Sequence, residues 1–273
     1  MLESCLDQGA GLRLQMPQSA PRLAALIGHG DTETEMPLLW QLCDALQALG
    51  YRVAVLDAGG AESFEMPGLK GLLDGSLLAD DDYDPAASSL GPELAIFPAR
   101  RGLDSLTEAD RTPRADACAR LGRGLRAYDI AILFGRSDVL AGWARHCAIA
   151  PVLAAAPNKA SLLAAWQDLK VLAEAGITPT IASVVTRPGI ATAGIAQAAR
   201  DNLARCAAHW LGREVDVLRV RAAADGAPAS AEIHRLALLL IEGAATLATV
   251  ATPLAPSPDA ALFARFDRSV RSH

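Results

Sequence analysis

Short apolar runs alternate along the chain with longer stretches in which apolar residues recur at helical spacing. The apolar runs favour buried strands at residues 23–28, 52–58, 94–99, 128–135, 150–157, 178–186 and 214–220. The amphipathic stretches favour helices at residues 37–49, 105–128, 161–176, 195–212 and 230–248. Because strands and helices alternate, the pattern predicts an α/β protein built on a mostly parallel, doubly wound sheet with helices on both faces.

Three segments depart from this alternation and suggest the domain limits. Residues 1–22 join a short amphipathic stretch to a linker with two prolines, and residues 59–92 are rich in Gly, Pro and Asp. The first segment is predicted to be a tethered peptide, and the second to be irregular. A proline-rich break opens the tail at 253–273, so the α/β domain is predicted to span 23–252.

Composition narrows the class of protein further. Of the 273 residues, 51% are hydrophobic but only 4% are aromatic, so the core is expected to consist mainly of Ala, Leu, Val and Ile. The net charge of −6 gives no basic footprint, which argues against nucleic acid as a partner.

The cysteines and the longest apolar runs bear on location and on metal binding. The five cysteines are scattered without CxxC spacing, which favours a reduced cytoplasmic setting and predicts no metal site. No apolar run reaches the roughly 18 residues that span a bilayer. We therefore expect a cytoplasmic protein.

The loop after the first strand has the position of a phosphate-binding loop but an unusual content. It reads GHGDTETEM over residues 28–36. A phosphate loop uses glycines to curl backbone N–H groups around the anion, a lysine to reach the phosphates and a Ser/Thr hydroxyl to hold Mg²⁺. Here Asp31, Glu33 and Glu35 fill the loop, and no lysine is present.

The flanking sequence identifies a related class. Together with ALQALGYRVAVLDA at 45–58, the loop resembles that of the deviant-Walker ATPases of the MinD/ParA (SIMIBI) class, whose loop reads KGGVGKT. In that register Gly30 stands for the signature lysine and Asp31 begins the segment that replaces GGVG. Glu35 stands for the Walker lysine, and Met36 for the Mg²⁺-binding threonine. The resemblance implies a MinD-like P-loop fold with a degenerate nucleotide site.

Two further strands carry the same resemblance. The strand at 128–135, which would hold the Walker B aspartate, ends in Phe134 and Gly135, so that only Asp57 remains of the class's catalytic acids. Asp57 is expected to be a strand-end or turn residue, with a residual nucleotide role as the alternative. Residues 151–185 also resemble the class, and Ser161 there is assigned to helix capping and packing.

The acidic loop leads to a prediction about catalysis. At about 4 Å and an effective dielectric near 20, each like-charge pair costs about 4 kcal/mol. With three glycines of the class motif also replaced, the backbone cradle is expected not to form. The sequence therefore predicts a pseudo-ATPase that is not an enzyme and holds no cofactor.

The N-terminal peptide suggests a partner. DQGAGLR at 7–13 resembles the DQAxxLR motif of flagellar-number regulators of the FlhG/FleN type, with matches at Asp7, Gln8, Leu12 and Arg13. In that family the motif forms a helix that docks on FlhF, a GTPase of the signal-recognition-particle type, and stimulates GTP hydrolysis. The resemblance implies that Leu12 anchors the helix, Arg13 pairs charges and Gln8 helps to order the catalytic water.

The C-terminal tail has an amphipathic pattern. Leu262, Phe263, Phe266 and Val270 fall on one helical face that is flanked by arginines. The MinD class ends in a comparable membrane-targeting helix, so these residues would contact the inner membrane peripherally. The alternative is a helix packed on its own domain.

These features combine into one functional hypothesis. The chain is expected to be a non-catalytic regulator that stimulates an FlhF-like GTPase and affects flagellar placement or number, with flagellar switch or regulator proteins as further partners. The alternatives are a MinD-like scaffold of another surface apparatus, such as a pilus or cellulose secretion, and a residual ATPase.

Overall fold

The computed structural model describes residues 20–63, 68–74, 94–107, 114–186, 190–223 and 229–247. Its strands are β1 Arg22–Ile27, β2 Val53–Asp57, β3 Leu94–Pro98, β4 Ile130–Gly135, β5 Val152–Ala155, β6 Thr180–Val185, β7 Val217–Arg221 and β8 Ala245–Thr246. Its helices are α1 Thr32–Ala48, α2 Leu69–Asp74, α3 Arg100–Thr107, α4 Arg114–Gly124, α5 Ser137–Cys147, α6 Lys159–Glu174, α7 Ile190–Leu211 and α8 Ala231–Glu242.

The strands form one sheet that is wound in two directions from its centre. The order is β3-β2-β4-β1-β5-β6-β7, and each neighbouring pair in this order is parallel. The short β8 is antiparallel to β1. β1 lies between β4 and β5, so the loop after β1 opens at the point where the winding reverses. Ligands of open α/β sheets bind at such points.

The side chains of the sheet alternate between two apolar layers. Along β1, Leu23, Ala25 and Ile27 belong to one buried cluster, whereas Ala24 and Leu26 belong to the other. The first cluster includes buried residues of α2 to α7, and the second those of α1 and α8. Because both faces are covered, the central strands β1, β2, β4 and β5 are apolar and buried along most of their length. The predicted fold class is confirmed.

The sequence pattern missed one helix. Residues 136–149 carried no prediction, yet they contain α5, which has Gly142 in its interior and no side-chain cap at Arg136. Both features weaken a helix signal. Burial of Leu140, Trp143 and Ala144 shows that tertiary packing supports the helix instead.

Helix boundaries also differ from the predictions. The segment predicted as one helical region at 105–128 contains the end of α3 and all of α4, and the segment predicted as irregular contains the short α2. The last predicted helix ends early, at Glu242. A Cβ on the next residue, Gly243, would lie 2.6 Å from the carbonyl oxygen of Ala150. This close approach requires glycine, and the chain then turns into β8.

The predicted partner and membrane contacts lie outside the described residues and stay predictions. They are Asp7, Gln8, Leu12 and Arg13 in the N-terminal peptide and Leu262, Phe263, Phe266 and Val270 in the tail. Within the part of the chain that the structure describes, no helix combines the length and apolar character needed to cross a bilayer.

Candidate functional site

The carboxylate of Glu35 fills the loop after β1. Glu35 Oε1 accepts hydrogen bonds from the backbone N–H groups of His29 at 2.7 Å, Gly30 at 3.1 Å and Asp31 at 3.2 Å. Gly30 N also lies 3.3 Å from Glu35 Oε2. Glu35 is only 3% exposed. The loop therefore binds an anion, and that anion is the chain's own side chain.

Two glycines and the start of α1 give the loop this shape. Gly30 has a φ of +96°, a conformation that side chains with a Cβ rarely adopt. At Gly28, an added Cβ would lie 2.3 Å from Glu35 Oε2, so the missing side chain leaves room for the carboxylate. Glu35 also lies in the first turn of α1, where the helix dipole favours negative charge.

This arrangement corrects one expectation from the sequence. The prediction that the backbone cradle would not form is wrong, because three consecutive N–H groups converge on one carboxylate oxygen. The repulsion estimate placed all three acids in a common pocket. Instead Glu33 is exposed, and Thr34 Oγ1 donates to Asp31 Oδ2 at 3.0 Å. Only Glu35 enters the cradle, where hydrogen bonds to its charge replace those from water.

A second polar cluster lies against the cradle. His29 Nε2 and Ser161 Oγ are 2.8 Å apart, and Ser161 Oγ also accepts a hydrogen bond from the N–H of Ala156 at 2.7 Å. His29 Nδ1 lies 3.7 Å from Glu35 Oε1 and 3.9 Å from Asp168 Oδ2. The His29 ring therefore lies between two carboxylates.

Asp168 connects this cluster to α5. The hydroxyl of Ser137, the first residue of α5, donates to Asp168 Oδ1 at 2.5 Å. Burial raises the pKa of Asp168 above its ordinary value, whereas the hydrogen bond from Ser137 and the nearby His29 act in the opposite direction. Asp168 Oδ2 and His29 Nδ1 are both buried and have no hydrogen-bond partner in the structure. The hydrogen bond from Ser137 is thus the largest of the interactions that favour ionised Asp168 against the effect of burial.

The remaining residues singled out from the sequence do not bond to the cradle in the described part of the chain. Asp57 ends β2, and its Oδ1 accepts a hydrogen bond from the N–H of Gly59 at 2.9 Å, the geometry of a turn residue. Met36 and Phe134 are partly buried and pack against the apolar cluster beneath α1 and α8. Within the described residues, these contacts are those of a turn residue and of packed apolar side chains.

Sequence reasoning missed most of the second cluster. It gave no role to His29, Ser137 or Asp168, and it assigned Ser161 to capping. The α6 cap is in fact Asn158, whose Oδ1 accepts from the N–H of Ser161 at 2.8 Å. The signal for His29 was its position inside the phosphate-loop segment. Asp168 gave no local signal, because its partner Ser137 is 31 residues away.

The chemistry available to this site is limited. Residues 28–36 contain no lysine or arginine, and the cradle N–H groups are already paired with Glu35. Among the described residues there is no group of three or more His, Cys, Asp or Glu side chains that could hold a metal ion. The geometry is that of an anion-binding loop that is occupied by a carboxylate of the same chain.

The Ser137–Asp168 hydrogen bond leads to a pH-dependent prediction. We expect Ser137→Ala to lower the free energy of unfolding by about 2 kcal/mol near neutral pH, because the buried Asp168 carboxylate loses its donor. Since burial raises this pKa, ionisation of Asp168 costs stability as the pH rises through it, and the Ser137 bond offsets that cost only in the ionised state. The penalty should therefore shrink as the pH falls through the raised pKa.

Urea unfolding of wild type and Ser137→Ala across this pH range provides the measurement. Ser183→Ala is the matched control, because Ser183 on β6 is also buried, at 3% exposure against 4% for Ser137. We expect the control to show a penalty that does not change with pH. A penalty for Ser137→Ala that stays constant with pH would contradict the assigned role of its hydroxyl.

An apolar groove lies apart from the cradle, between α6 and α7. It has a volume of about 840 Å³, and its lining includes Leu163, Trp166, Ile195 and Trp210. Trp210 is 71% exposed, which is unusual for so large an apolar side chain. The groove lining includes none of the residues that surround the cradle, so the groove is a separate surface.

Comparisons with known proteins bear on the fold. No family model and no curated protein matches the chain. Among solved structures, the chain is similar to the MinC:MinD cell division protein complex of Aquifex aeolicus, with 14% identity, 81% of this chain and 95% of that chain covered, and a TM-score of 0.46. It is also similar to pnob8 ParA, with 14% identity, 81% and 99% covered, and a TM-score of 0.48. A third similar structure is the McdA–ATP complex of Cyanothece, with 13% identity, 74% and 83% covered, and a TM-score of 0.45. All three matches lie at 14% identity or less.

Proposed function

We propose that this chain is a non-catalytic regulatory protein of the MinD/ParA-like type, in which the Glu35 carboxylate takes the place of a nucleotide phosphate. The observation that carries the proposal is the set of hydrogen bonds from three consecutive backbone N–H groups to Glu35 Oε1. These donors are the groups that a phosphate loop offers to its nucleotide. A phosphate could use them only after Glu35 had left a buried position.

Loss of nucleotide binding changes what the protein can do. Without a bound triphosphate there is no hydrolysis step to switch the fold between two states, so the chain would act through contact with partners. The motif DQGAGLR at 7–13 supports one such partner, an FlhF-like GTPase. Asp7, Gln8, Leu12 and Arg13 would make that contact, and the amphipathic tail would add peripheral contact with the inner membrane. The consequence would be an effect on flagellar placement or number.

GTP turnover tests the partner. The full-length protein is mixed with the FlhF-like GTPase of the same organism, and phosphate release is followed at saturating GTP. We expect turnover to rise by about tenfold or more, because an amide that orders the attacking water acts on the chemical step. Gln8→Ala should remove most of this stimulation.

A control in the same peptide separates the motif from the remainder of the N-terminus. Gln15→Ala makes the same substitution two residues after the motif ends, and it should stimulate like wild type. Stimulation that is absent in wild type, or equal in wild type and Gln8→Ala, would reject this partner.

ATP binding tests the filled cradle independently. Calorimetric titration of wild type with ATP and Mg²⁺ should give no measurable binding at millimolar nucleotide. A saturable ATP isotherm would overturn the non-catalytic assignment even if GTPase stimulation were observed. The GTPase assay thus tests the partner, the ATP titration tests the filled cradle, and either claim can be rejected without the other.

A further inference from the structure

Two cysteines on neighbouring helices face each other. Cys118 lies on α4, Cys147 is the last residue of α5, and their Sγ atoms are 3.0 Å apart. The two residues are 29 positions apart in sequence, so the fold brings them together. Formation of a disulfide requires the sulfur atoms to move closer by about 1 Å. The pair is therefore already arranged for a bond between its sulfur atoms.

The two cysteines of this pair are more exposed to solvent than Cys43, which lies in the core. Both Cys118 and Cys147 are partly exposed, whereas Cys43 is fully buried, and burial raises the pKa of the Cys43 thiol to about 12. Cys206 on α7 is also partly exposed, but it lines the apolar groove beside Trp210. Only a thiol that reaches solvent and can ionise reacts readily with oxidants.

The two thiols are not equivalent. The hydrogen bond from Cys147 lowers the pKa of Cys118 to about 7, and the same contact raises the pKa of Cys147. Near neutral pH, Cys118 is therefore partly a thiolate, with the Cys147 S–H as its donor. A low-pKa thiol next to a second thiol is the arrangement of a reactive cysteine and its resolving partner.

We propose that Cys118 and Cys147 form a reversible intrachain disulfide, with a hydroperoxide as the oxidant and a dithiol as the reductant. The Cys118 thiolate attacks one peroxide oxygen, the O–O bond breaks, and a sulfenic acid forms while the other oxygen leaves as water or an alcohol. The Cys147 sulfur then attacks the sulfenic sulfur, and the S–OH oxygen leaves as water. The two thiols lose two electrons and two protons in total, and the peroxide gains them.

The bond would tie α4 to α5, and α5 begins close to the candidate site. α4 precedes β4 and α5 follows it, so the disulfide would link the two connections of that central strand. α5 begins at Ser137, which donates to Asp168 beside the filled cradle. Oxidation would thus fix the far end of the helix that supports this cluster.

The experiment uses the full-length chain, reduced with dithiothreitol, desalted and treated with a small excess of hydrogen peroxide. We expect the number of free thiols to fall from the five of the sequence to three, with a mass about 2 Da lower. Non-reducing digestion and mass spectrometry should recover one peptide pair joined through Cys118 and Cys147. Fresh dithiothreitol should restore the original mass.

Three single variants locate the bond. Cys118→Ser and Cys147→Ser should each abolish the joined peptide pair, whereas Cys206→Ser, a substitution of another partly exposed cysteine, should keep it. A covalent dimer in place of the intrachain bond, a bond through Cys206, or peroxide treatment that leaves all five thiols free in wild type would overturn the proposal. So would oxidation of Cys118 to the sulfinic acid while Cys147 stays a thiol.

Discussion

Glu35→Ala should have a free energy of unfolding about 3 kcal/mol lower than that of wild type, although it removes an acidic side chain from an acidic loop. The reason is that the three backbone N–H groups bonded to Glu35 Oε1 lose their acceptor together. The cost of leaving these part-buried donors without the carboxylate exceeds the relief of repulsion from Asp31 and Glu33, because Glu33 is exposed. Urea unfolding at constant pH measures the difference.

Glu33→Ala is the matched control for this prediction. It removes the same charge from the same first turn of α1, but Glu33 is exposed. We expect its free energy of unfolding to stay within about 0.5 kcal/mol of wild type. If Glu35→Ala were as stable as Glu33→Ala, the Glu35 carboxylate would not be the group that holds the loop.

Inorganic phosphate provides a second measurement on the same variant. With the Glu35 side chain removed, the N–H groups of His29, Gly30 and Asp31 can donate to a free anion. Phosphate should therefore restore about 1 kcal/mol of the lost free energy of unfolding by binding to the folded state. Wild type should not respond in this way, because its cradle is occupied. Sodium chloride at the same ionic strength serves as the reference for non-specific salt effects.

The parallel sheet was predictable from sequence because each of its seven parallel strands gives a local signal, whereas the two-residue β8 gives none. The central strands β1, β2, β4 and β5 are apolar runs buried along most of their length, and successive residues of β1 enter opposite apolar clusters. α5 was not predictable in this way, since a short helix with an interior glycine depends on its packing against the sheet. Local propensity cannot supply that information.

The cradle was only half predictable. The position of the loop and its acids could be read from the chain, and so could the loss of the lysines. What the sequence did not reveal was that a carboxylate six residues after His29 folds back onto the loop, because Gly28 leaves space for it and Gly30 adopts a positive φ. The number of acidic residues suggested repulsion, whereas in the structure the Glu35 carboxylate is bound by the backbone N–H groups of the loop.

The second cluster was beyond local reasoning. His29 and Ser161 are 132 residues apart, and they meet because β1 and β5 are neighbours in the sheet and α6 follows β5. Sequence patterns predict that such strands exist but not that these two are adjacent. A hydrogen bond between their loops therefore becomes visible only when the strand order is known.

Gly28→Ala should destabilise the protein by about 3 kcal/mol, and the penalty should largely disappear when Glu35 is also alanine. The three atoms nearest to a Cβ at Gly28 are Oε2, Cδ and Oε1 of Glu35, at 2.3, 2.5 and 3.0 Å. The backbone at Gly28 does not have a positive φ, so alanine itself is not strained there. The cost in wild type is thus the cost of driving the Glu35 carboxylate out of its cradle.

A double-mutant cycle measures this coupling. Free energies of unfolding are determined for wild type, Gly28→Ala, Glu35→Ala and the double variant, and we expect a coupling energy of about 2 kcal/mol or more. Gly142→Ala is the control for glycine replacement, because nothing lies within 4 Å of a Cβ there, and in a helix interior it should stabilise by about 0.5–1 kcal/mol. Additive penalties from Gly28→Ala and Glu35→Ala would show that the small residue and the carboxylate act independently. In that case the loop would not owe its shape to the internal anion, and the main support for a filled phosphate site would be lost.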